Sequence, residues 1–149
     1  MTHSLILINQ LQTKFNLPLP AIEWLSLLFD SVQTFDDFTD GDTVNRDELN
    51  AVIWNTLVAM PQNYFFKKNS DILLPLVSNM ILKWQAANNV EKYHNVDEKS
   101  FMWRAGYYDV ALTVVQLCHG VKYAEENAHT VLSLYGETFE DYKKEFNYA

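Results

Sequence analysis

An acidic segment at residues 36–48 combines side-chain types and spacing that could bind a cation. Its candidate ligands are Asp37, Asp40, Asp42 and Glu48. Counted from Asp37 to Glu48, it has the length of a calcium-binding loop that takes oxygen ligands at its first, third, fifth and twelfth positions. Such a loop needs glycine at the sixth position, whereas Gly41 stands at the fifth, as if one residue were deleted. We expect a solvated acidic turn here, with calcium binding as the alternative.

A seam of small and polar residues runs along the most apolar segment of the chain. Its members fall at helical spacing and are Gly106, Asp109, Thr113, Gln116 and Gly120. The seam could line a pocket, or it could be a close helix–helix contact with a structural hydrogen-bond network. A buried Asp109 would need a partner, because an uncompensated buried carboxylate is costly. Arg104 is poorly spaced for a direct pair along the same helix, so we expect that partner on another helix.

Two aromatic groups are candidate interaction residues. The first is a predicted loop containing Tyr64, Phe65, Phe66, Lys67 and Lys68, and the second is a helical face containing Phe139, Tyr142 and Phe146. Aromatic side chains are common at protein interfaces, and a loop can project them toward a partner. The alternative for the first group is that Phe65 and Phe66 plug the end of a helical bundle while the lysines face water.

Composition restricts both the fold class and the kind of partner that the chain can bind. A chain of 149 residues has the size of one domain, and we predict a single domain over residues 1–149. Hydrophobic residues make up 48% of it and glycine and proline number four each, which favours long helices over a turn-rich sandwich or barrel. The net charge of −8, without a basic stripe, argues against direct nucleic-acid binding. We expect no cofactor.

The sequence also bears on location. No apolar stretch approaches the ~20 residues of a membrane helix, and the apolar run Leu5–Ile8 is too short for the core of a secretion signal. A single cysteine, Cys118, excludes an internal disulfide framework. We therefore expect a cytoplasmic protein with no membrane partner, in the host cytoplasm or the virion if a phage encodes it.

Helical periodicity predicts seven segments. They cover about 4–15, 20–35, 46–60, 71–90, 98–119 and 123–135, with a loop at 62–69 and a short last segment capped by Thr138. Asp97 is the predicted cap of segment 98–119 and Gly120 its predicted stop, and Pro75 is expected to kink segment 71–90 or to delay its start. Segment 98–119 is apolar on most sides, as expected of a central helix. Segment 46–60 is capped by Asn45, and its predicted buried face is Leu49, Val52, Ile53, Thr56, Leu57 and Met60. The predicted fold is all-α, a compact bundle of six to seven helices around a central hydrophobic helix at about 98–119.

One part of this central segment resembles an enzyme family. Tyr108-Asp109-Val110-Ala111-Leu112, followed by Gly120 and Glu125-Glu126, is similar to the second half of the MazG-like all-α nucleotide pyrophosphohydrolases. The resemblance implies a magnesium ion held by carboxylates of two helices, with Asp47, Glu48 and Asp109 as candidate catalytic residues. The family's ExxE pair does not accompany Asp47 and Glu48, and Gly106 stands where its ExxD motif requires glutamate.

A second resemblance points to a different source. The segment Trp54–Phe65, with Leu73–Trp84 after it, resembles short uncharacterised helical proteins encoded by tailed bacteriophages. This resemblance implies a viral origin and a virion or accessory role, and it includes no catalytic motif.

The residues together favour a non-enzymatic helical interaction or structural protein that binds a protein partner or itself. Abundant aromatic residues and the lack of a convergent catalytic set are the reasons. One alternative is a magnesium-dependent nucleotide pyrophosphohydrolase. The other is an acidic inhibitor that mimics nucleic acid through the acidic stretches Asp30–Glu48 and Glu125–Glu145.

Overall fold

A computed structural model of the chain describes residues 2–146, and every regular element in that range is a helix. The prediction of an all-α protein is therefore confirmed. Backbone contacts group the chain into two compact units, Met1–Ser70 and Asp71–Ala149, called here the first and second unit. That one domain spans residues 1–149 stays a prediction. Within the described range, every helix falls short of the length or the apolar character that crossing a membrane requires.

The first unit is built from helices joined by short turns. They are α1 (Thr2–Phe15), α2 (Leu19–Thr39), α3 (Arg46–Trp54), a π-helical turn (Asn55–Ala59), α4 (Met60–Gln62) and the start of α5 (Tyr64–Lys92). Helix α2 packs against α1 on one side and against α3 and the π-helical turn on another. The core side chains of the first unit include Leu11, Phe15, Trp24, Leu25, Leu28 and Val52.

Helix α2 is longer at its C-terminal end than the sequence suggested. The residue before it, Pro18, is extended, and Pro20 lies in the first turn, where a missing backbone N–H costs nothing. The helix then continues to Thr39, through residues predicted to be an acidic loop, because aspartates on its solvated side do not interrupt it. It ends where Gly41 adopts a φ of 83°, a left-handed conformation that glycine tolerates without a steric penalty.

A π-helical turn interrupts the segment predicted as one helix over residues 46–60. Pro61 has no backbone N–H, and its ring collides with the carbonyl four residues earlier in a regular helix. The backbone widens ahead of this proline, and the Met60 N–H bonds to the Asn55 carbonyl, five residues back. The predicted cap is confirmed, since the Asn45 side chain accepts a hydrogen bond of 2.9 Å from the Glu48 backbone N–H.

The predicted loop at residues 62–69 is mostly helical instead. Asn63 supplies the reason: its Oδ1 accepts a 3.0 Å bond from the Phe66 N–H, and its Nδ2 donates a 3.0 Å bond to the Pro20 carbonyl. This cap starts α5 at Tyr64. Pro75, which was expected to kink the helix or delay its start, lies inside α5, and the backbone leaves the helical region earlier, at Asn69, with a φ of −125° and a ψ of 16°.

The second unit contains the rest of α5 followed by α6 (Glu98–Trp103), α7 (Gly106–His119), α8 (Val121–Leu132) and α9 (Phe139–Phe146). Helix α7 packs against α8, and α6 packs against α9. The predicted caps are confirmed, because Asp97 forms a reciprocal capping box with Ser100 and Thr138 accepts a bond from the Asp141 N–H. Buried side chains include Met80, Tyr107, Val110, Val114, Val115, Val131 and Tyr142.

The central helix predicted over about 98–119 is divided into α6 and α7. Arg104 and Ala105 donate to carbonyls three residues back, which tightens the end of α6 and breaks the regular ladder. Gly106 then starts α7 against α5, where a Cβ atom would lie 3.0 Å from Met80 Cγ. The predicted stop at Gly120 is confirmed, with a φ of 93° between α7 and α8.

Candidate functional site

Helix α3 and the π-helical turn after it carry a row of exposed apolar side chains. This α3 face consists of Leu49, Ile53, Trp54 and Leu57, whose exposed fractions are 50%, 47%, 60% and 72%. Leu49 and Ile53 are four residues apart on α3, and Leu57 follows four residues later in the π-helical turn, so the three form a stripe along successive turns. Val52 lies on the other side of α3 and is 4% exposed.

Val52 is the residue of α3 that is buried, so most of the surface of this helix stays open. The helix packs against α2, so a single narrow side is enough to join it to the core of the first unit. The sequence is nevertheless apolar around more than half of the helix circumference. The surplus apolar residues therefore remain at the surface, which monomeric proteins seldom allow for a contiguous patch without a binding role.

An acidic cluster adjoins the N-terminal end of the α3 face. It consists of Asp37 together with Asp36, Asp42 and Glu48, and the last three are grouped with Asp37 because their charges act on its carboxyl group. Burial raises the pKa of Asp37 above its ordinary value, and the negative charges of Asp42, Asp36 and Glu48 raise it further. Glu48 lies in the first turn of α3 directly before Leu49, so the charge and the apolar stripe share one end of the helix.

The acidic cluster is not arranged as a metal centre. In residues 2–146, no group of three or more histidine, cysteine, aspartate or glutamate side chains is placed to hold a metal ion. The candidate calcium ligands Asp37, Asp40, Asp42 and Glu48 therefore do not come together as a ligand set. Glu48 takes part in the helix cap instead, since its Oε1 accepts a 2.7 Å hydrogen bond from the Asn45 amide.

The candidate catalytic carboxylates lie in different units. Asp47 and Glu48 open α3 in the first unit, whereas Asp109 belongs to α7 in the second. Asp109 is exposed and pairs with Lys83 of α5, whose Nζ lies 2.9 Å from its Oδ2. The expected partner on another helix is thus present. With Gly106 against Met80, the polar seam contributes a helix–helix contact with α5.

The residues Tyr64 to Lys68 pack largely within the first unit. Phe65 is buried, and the ring of Phe66 stacks on Trp24 with a centroid separation of 5.6 Å. Tyr64 is exposed, and Lys68 Nζ lies 5.3 Å from the centre of its ring. Phe65 and Phe66 therefore follow the alternative stated for them, as packing residues, while Tyr64, Lys67 and Lys68 face solvent.

The other predicted interaction face, on α9, is covered by its own unit. Tyr142 has no exposed surface, and its ring centroid lies 5.5 Å from that of Phe101 and 5.3 Å from that of Phe146. The Phe139 ring also contacts Phe101, at 5.6 Å. His94 Nδ1 lies 2.8 Å from the Phe146 carbonyl oxygen at the end of the helix. A partner could reach Phe139 and Phe146 only in part, and Tyr142 not at all.

Beneath α9, polar groups form a closed network. The Tyr142 hydroxyl lies 2.9 Å from Glu91 Oε2 and 2.9 Å from Ser100 Oγ. Arg104 pairs with the same Glu91 oxygen at 3.4 Å and lies over the Tyr142 ring, 5.6 Å from its centre. All four groups are buried or nearly so, and each has a partner, so the arrangement holds α5, α6 and α9 together.

The buried tyrosines of the second unit are unsuited to proton transfer near neutral pH. Burial raises the pKa of Tyr108 to about 12. Burial also raises the pKa of Tyr135 and of Tyr142 above that of a free phenol, with Glu137 and Glu91 respectively contributing in the same direction. A general acid or base works best with a pKa near the operating pH, and these phenols stay protonated there.

Sequence reasoning missed the α3 face. Leu49, Ile53 and Leu57 were predicted to be buried together with Val52, and Trp54 was not singled out. A signal was available, because Trp54 lies outside the predicted buried stripe and makes α3 apolar on two sides. A second apolar side on a short surface helix needs a second apolar neighbour.

The chain matches no protein-family model, no curated protein and no solved structure. Its function is therefore argued from its own geometry.

Proposed function

We propose that this chain is a non-enzymatic helical interaction protein that binds a protein partner through the α3 face. The observation that carries the proposal is the row of exposed Leu49, Ile53, Trp54 and Leu57 on α3 and the π-helical turn that follows it. Such residues on an ordered helix are a ready surface for association, because little conformational entropy is lost when they are covered.

The energetics of the α3 face suit binding. Covering a large aliphatic side chain that was fully exposed is worth about 1.5–3 kcal/mol, and these residues retain between 47% and 72% of their exposed surface. Tryptophan is enriched among the few residues that dominate binding energy at interfaces. Trp54 at the middle of the stripe is therefore the expected centre of the contact.

The two alternatives have less support. A magnesium-dependent hydrolase would need Asp47, Glu48 and Asp109 on one ion, yet the Asp109 carboxylate pairs with Lys83 at 2.9 Å. An acidic mimic of nucleic acid would expose carboxylates spaced like phosphates rather than a row of leucine, isoleucine and tryptophan side chains. We keep the interaction role as the proposal.

The resemblance to short helical phage proteins suggests a narrower form of this role. In that form the chain is a virion component or an accessory protein in the host cytoplasm, and the α3 face is its contact with another viral or host protein. Self-association through the same face is the other form.

The test is affinity capture with matched surface variants from an extract of the organism that expresses the gene. Leu57→Asp places a charge on the α3 face, and Leu19→Asp places the same charge on a leucine that is 64% exposed at the start of α2. We expect the partner to be captured by the wild type and by Leu19→Asp and to be lost with Leu57→Asp. Equal capture by all three proteins, or magnesium-dependent hydrolysis of a nucleotide by the purified chain, would refute the proposal.

A further inference from the structure

We infer that the segment covering the α3 face is a basic amphipathic helix, with its apolar stripe on Leu49, Ile53, Trp54 and Leu57 and its lysine or arginine end on the acidic cluster. This inference rests on the proposed function and names the chemistry of the partner. It follows from the shape of the exposed stripe and from the distribution of charge along it.

The shape of the stripe favours a helix as the covering element. Leu49, Ile53 and Leu57 form a ridge of residues four apart that runs from α3 into the π-helical turn. Another helix laid along such a ridge places its own apolar residues into the grooves on either side. Recognition of this kind uses apolar anchors three and four residues apart on the partner.

Charge along the stripe is confined to one end. Residues 36–48 contain six carboxylates and one arginine, whereas residues 49–62 contain no charged side chain. Burial raises the pKa of Asp37 in this cluster, and the like charges of Asp42, Asp36 and Glu48 raise it further. Lysine or arginine on a partner would relieve this repulsion, and an acidic partner would add to it.

The same charge distribution sets the expected direction of the partner helix. Basic residues are most favourable in the last turn of a helix, where they meet the negative end of its dipole. The acidic cluster lies at the N-terminal end of α3. A partner helix with its basic C-terminal turn on the cluster therefore runs antiparallel to α3.

A second copy of this chain matches the α3 face less well. The chain carries a net charge of −8, so two copies repel each other over long distances. In a parallel pairing the two acidic clusters would meet. In an antiparallel pairing each cluster would face the uncharged end of the other stripe and would gain no opposite charge.

Synthetic helices are the probes that test this inference. We would use a peptide of about 18 residues with leucines at helical spacing and lysines in its last turns, and a matched peptide with glutamates in place of the lysines. Binding is measured by fluorescence anisotropy of the labelled peptide. We expect the lysine peptide to bind at least about tenfold tighter than the glutamate peptide, with the difference shrinking as salt is raised from about 0.05 M to about 0.5 M.

Matched variants assign the binding to the face and to the cluster. Leu57→Asp should weaken the lysine peptide by about tenfold or more, while Leu19→Asp should leave it unchanged. The pair Asp37→Asn and Asp42→Asn should weaken it by several-fold. The pair Glu125→Gln and Glu126→Gln removes the same charge from α8 and should have a much smaller effect.

Each outcome separates this inference from the proposed function. If both peptides bind equally and Leu57→Asp still abolishes binding, the basic partner is refuted and the binding role stands. If neither peptide binds but sedimentation shows a dimer that Leu57→Asp dissociates, the occupant is a second copy and the inference is again refuted. If Leu57→Asp changes no association of any kind, the proposed function itself fails.

Discussion

Helices α3 and α9 carry similar apolar patterns and use them differently. On α9, Tyr142 is completely buried and Phe139 and Phe146 contact rings of the same unit. On α3, Trp54 and Leu57 remain 60% and 72% exposed. An apolar stripe in a sequence thus predicts that a helix side will meet apolar surface. It does not tell whether that surface belongs to the same chain.

The polar surroundings of the two helices differ as well. Next to α9, the buried Glu91 carboxylate has the Tyr142 hydroxyl at 2.9 Å and Arg104 at 3.4 Å. Next to α3, the acidic cluster contains neighbouring charges of one sign, which raise the pKa of Asp37. A covered face thus lies beside a network of opposite charges, and an open face lies beside carboxylates of one sign, to which a cationic group of another molecule would be attracted.

The largest loss of stability is expected when Arg104, which lies in the network beneath α9, is replaced. Replacing Arg104 by methionine leaves the buried Glu91 without its cation, which should destabilise the second unit by about 3–5 kcal/mol. Thermal unfolding followed by circular dichroism measures the loss.

The double variant Arg104→Met with Glu91→Gln is the control for this effect. It removes both charges, so it should recover much of the lost stability. An Arg104→Met protein as stable as the wild type would show that the network under α9 does not hold the unit together. The contrast with α3 would then be one of exposure alone.

A smaller effect is expected at Gly106, where α7 meets α5. A Cβ atom there would lie 3.0 Å from Met80 Cγ and 3.2 Å from Met80 Cα, so the helices would have to move apart. Gly106→Ala should therefore cost about 1–3 kcal/mol, despite the better helix propensity of alanine.

Gly136 is the matched control for Gly106. A Cβ atom at Gly136 would approach only the Leu134 carbonyl oxygen, at 4.0 Å. Gly136→Ala should leave the melting temperature nearly unchanged. Equal effects at the two glycines would mean that α5 and α7 are not in close contact at Gly106, and that the second unit is packed no more tightly there than at Gly136.

Much of the fold could be predicted from local chemistry. Asn45, Asp97 and Gly120 each have one dominant conformational role, and the sequence predicted all three correctly. The cap at Asn63 was not predicted, because it includes a bond to the Pro20 carbonyl, 43 residues earlier in the chain. The break between α6 and α7 was not predicted because the apolar pattern continues across it, whereas the Arg104 and Ala105 N–H groups bond to carbonyls three residues back.

The candidate site could be predicted much less well. The exposed α3 face follows from which side of the helix packs on α2, and the apolar pattern allowed either side. Leu57 and Val52 are equally apolar in the sequence but differ from 72% to 4% in exposure. Likewise, the spacing of Asp37 to Glu48 suggested metal ligands, whereas Glu48 bonds to its own helix cap.

The two sides of α3 provide a direct test of the exposure difference. Val52→Ala removes two buried methyl groups and should destabilise the first unit by about 1.5 kcal/mol. Leu57→Ala removes a larger side chain from a surface position and should change stability by less than about 0.5 kcal/mol. Chemical denaturation of the two variants measures the difference. Comparable losses would mean that Leu57 is covered within the chain and that α3 has no open face.

The smallest effect is expected at Asp37 in the acidic cluster. Its pKa in the folded protein is raised above the ordinary value of 3.8, so the folded state holds this proton more tightly than the unfolded chain does. Stability therefore falls as the pH rises through this range, and the cost of the carboxylate is fully present at neutral pH. Asp37→Asn should raise the melting temperature at pH 7 by about 1–2 °C, and this gain should disappear below about pH 3.8.

Salt and the lysine peptide separate the two causes of this shift. Added salt should reduce the part of the Asp37→Asn gain that comes from Asp42, Asp36 and Glu48, while the part due to burial persists. With the lysine peptide bound, the carboxylate gains an opposite charge, so Asp37→Asn should lower the stability of the complex instead. A gain that is unchanged by the peptide would show that the bound cation does not reach the cluster, and that the open face and the acidic end of α3 act independently.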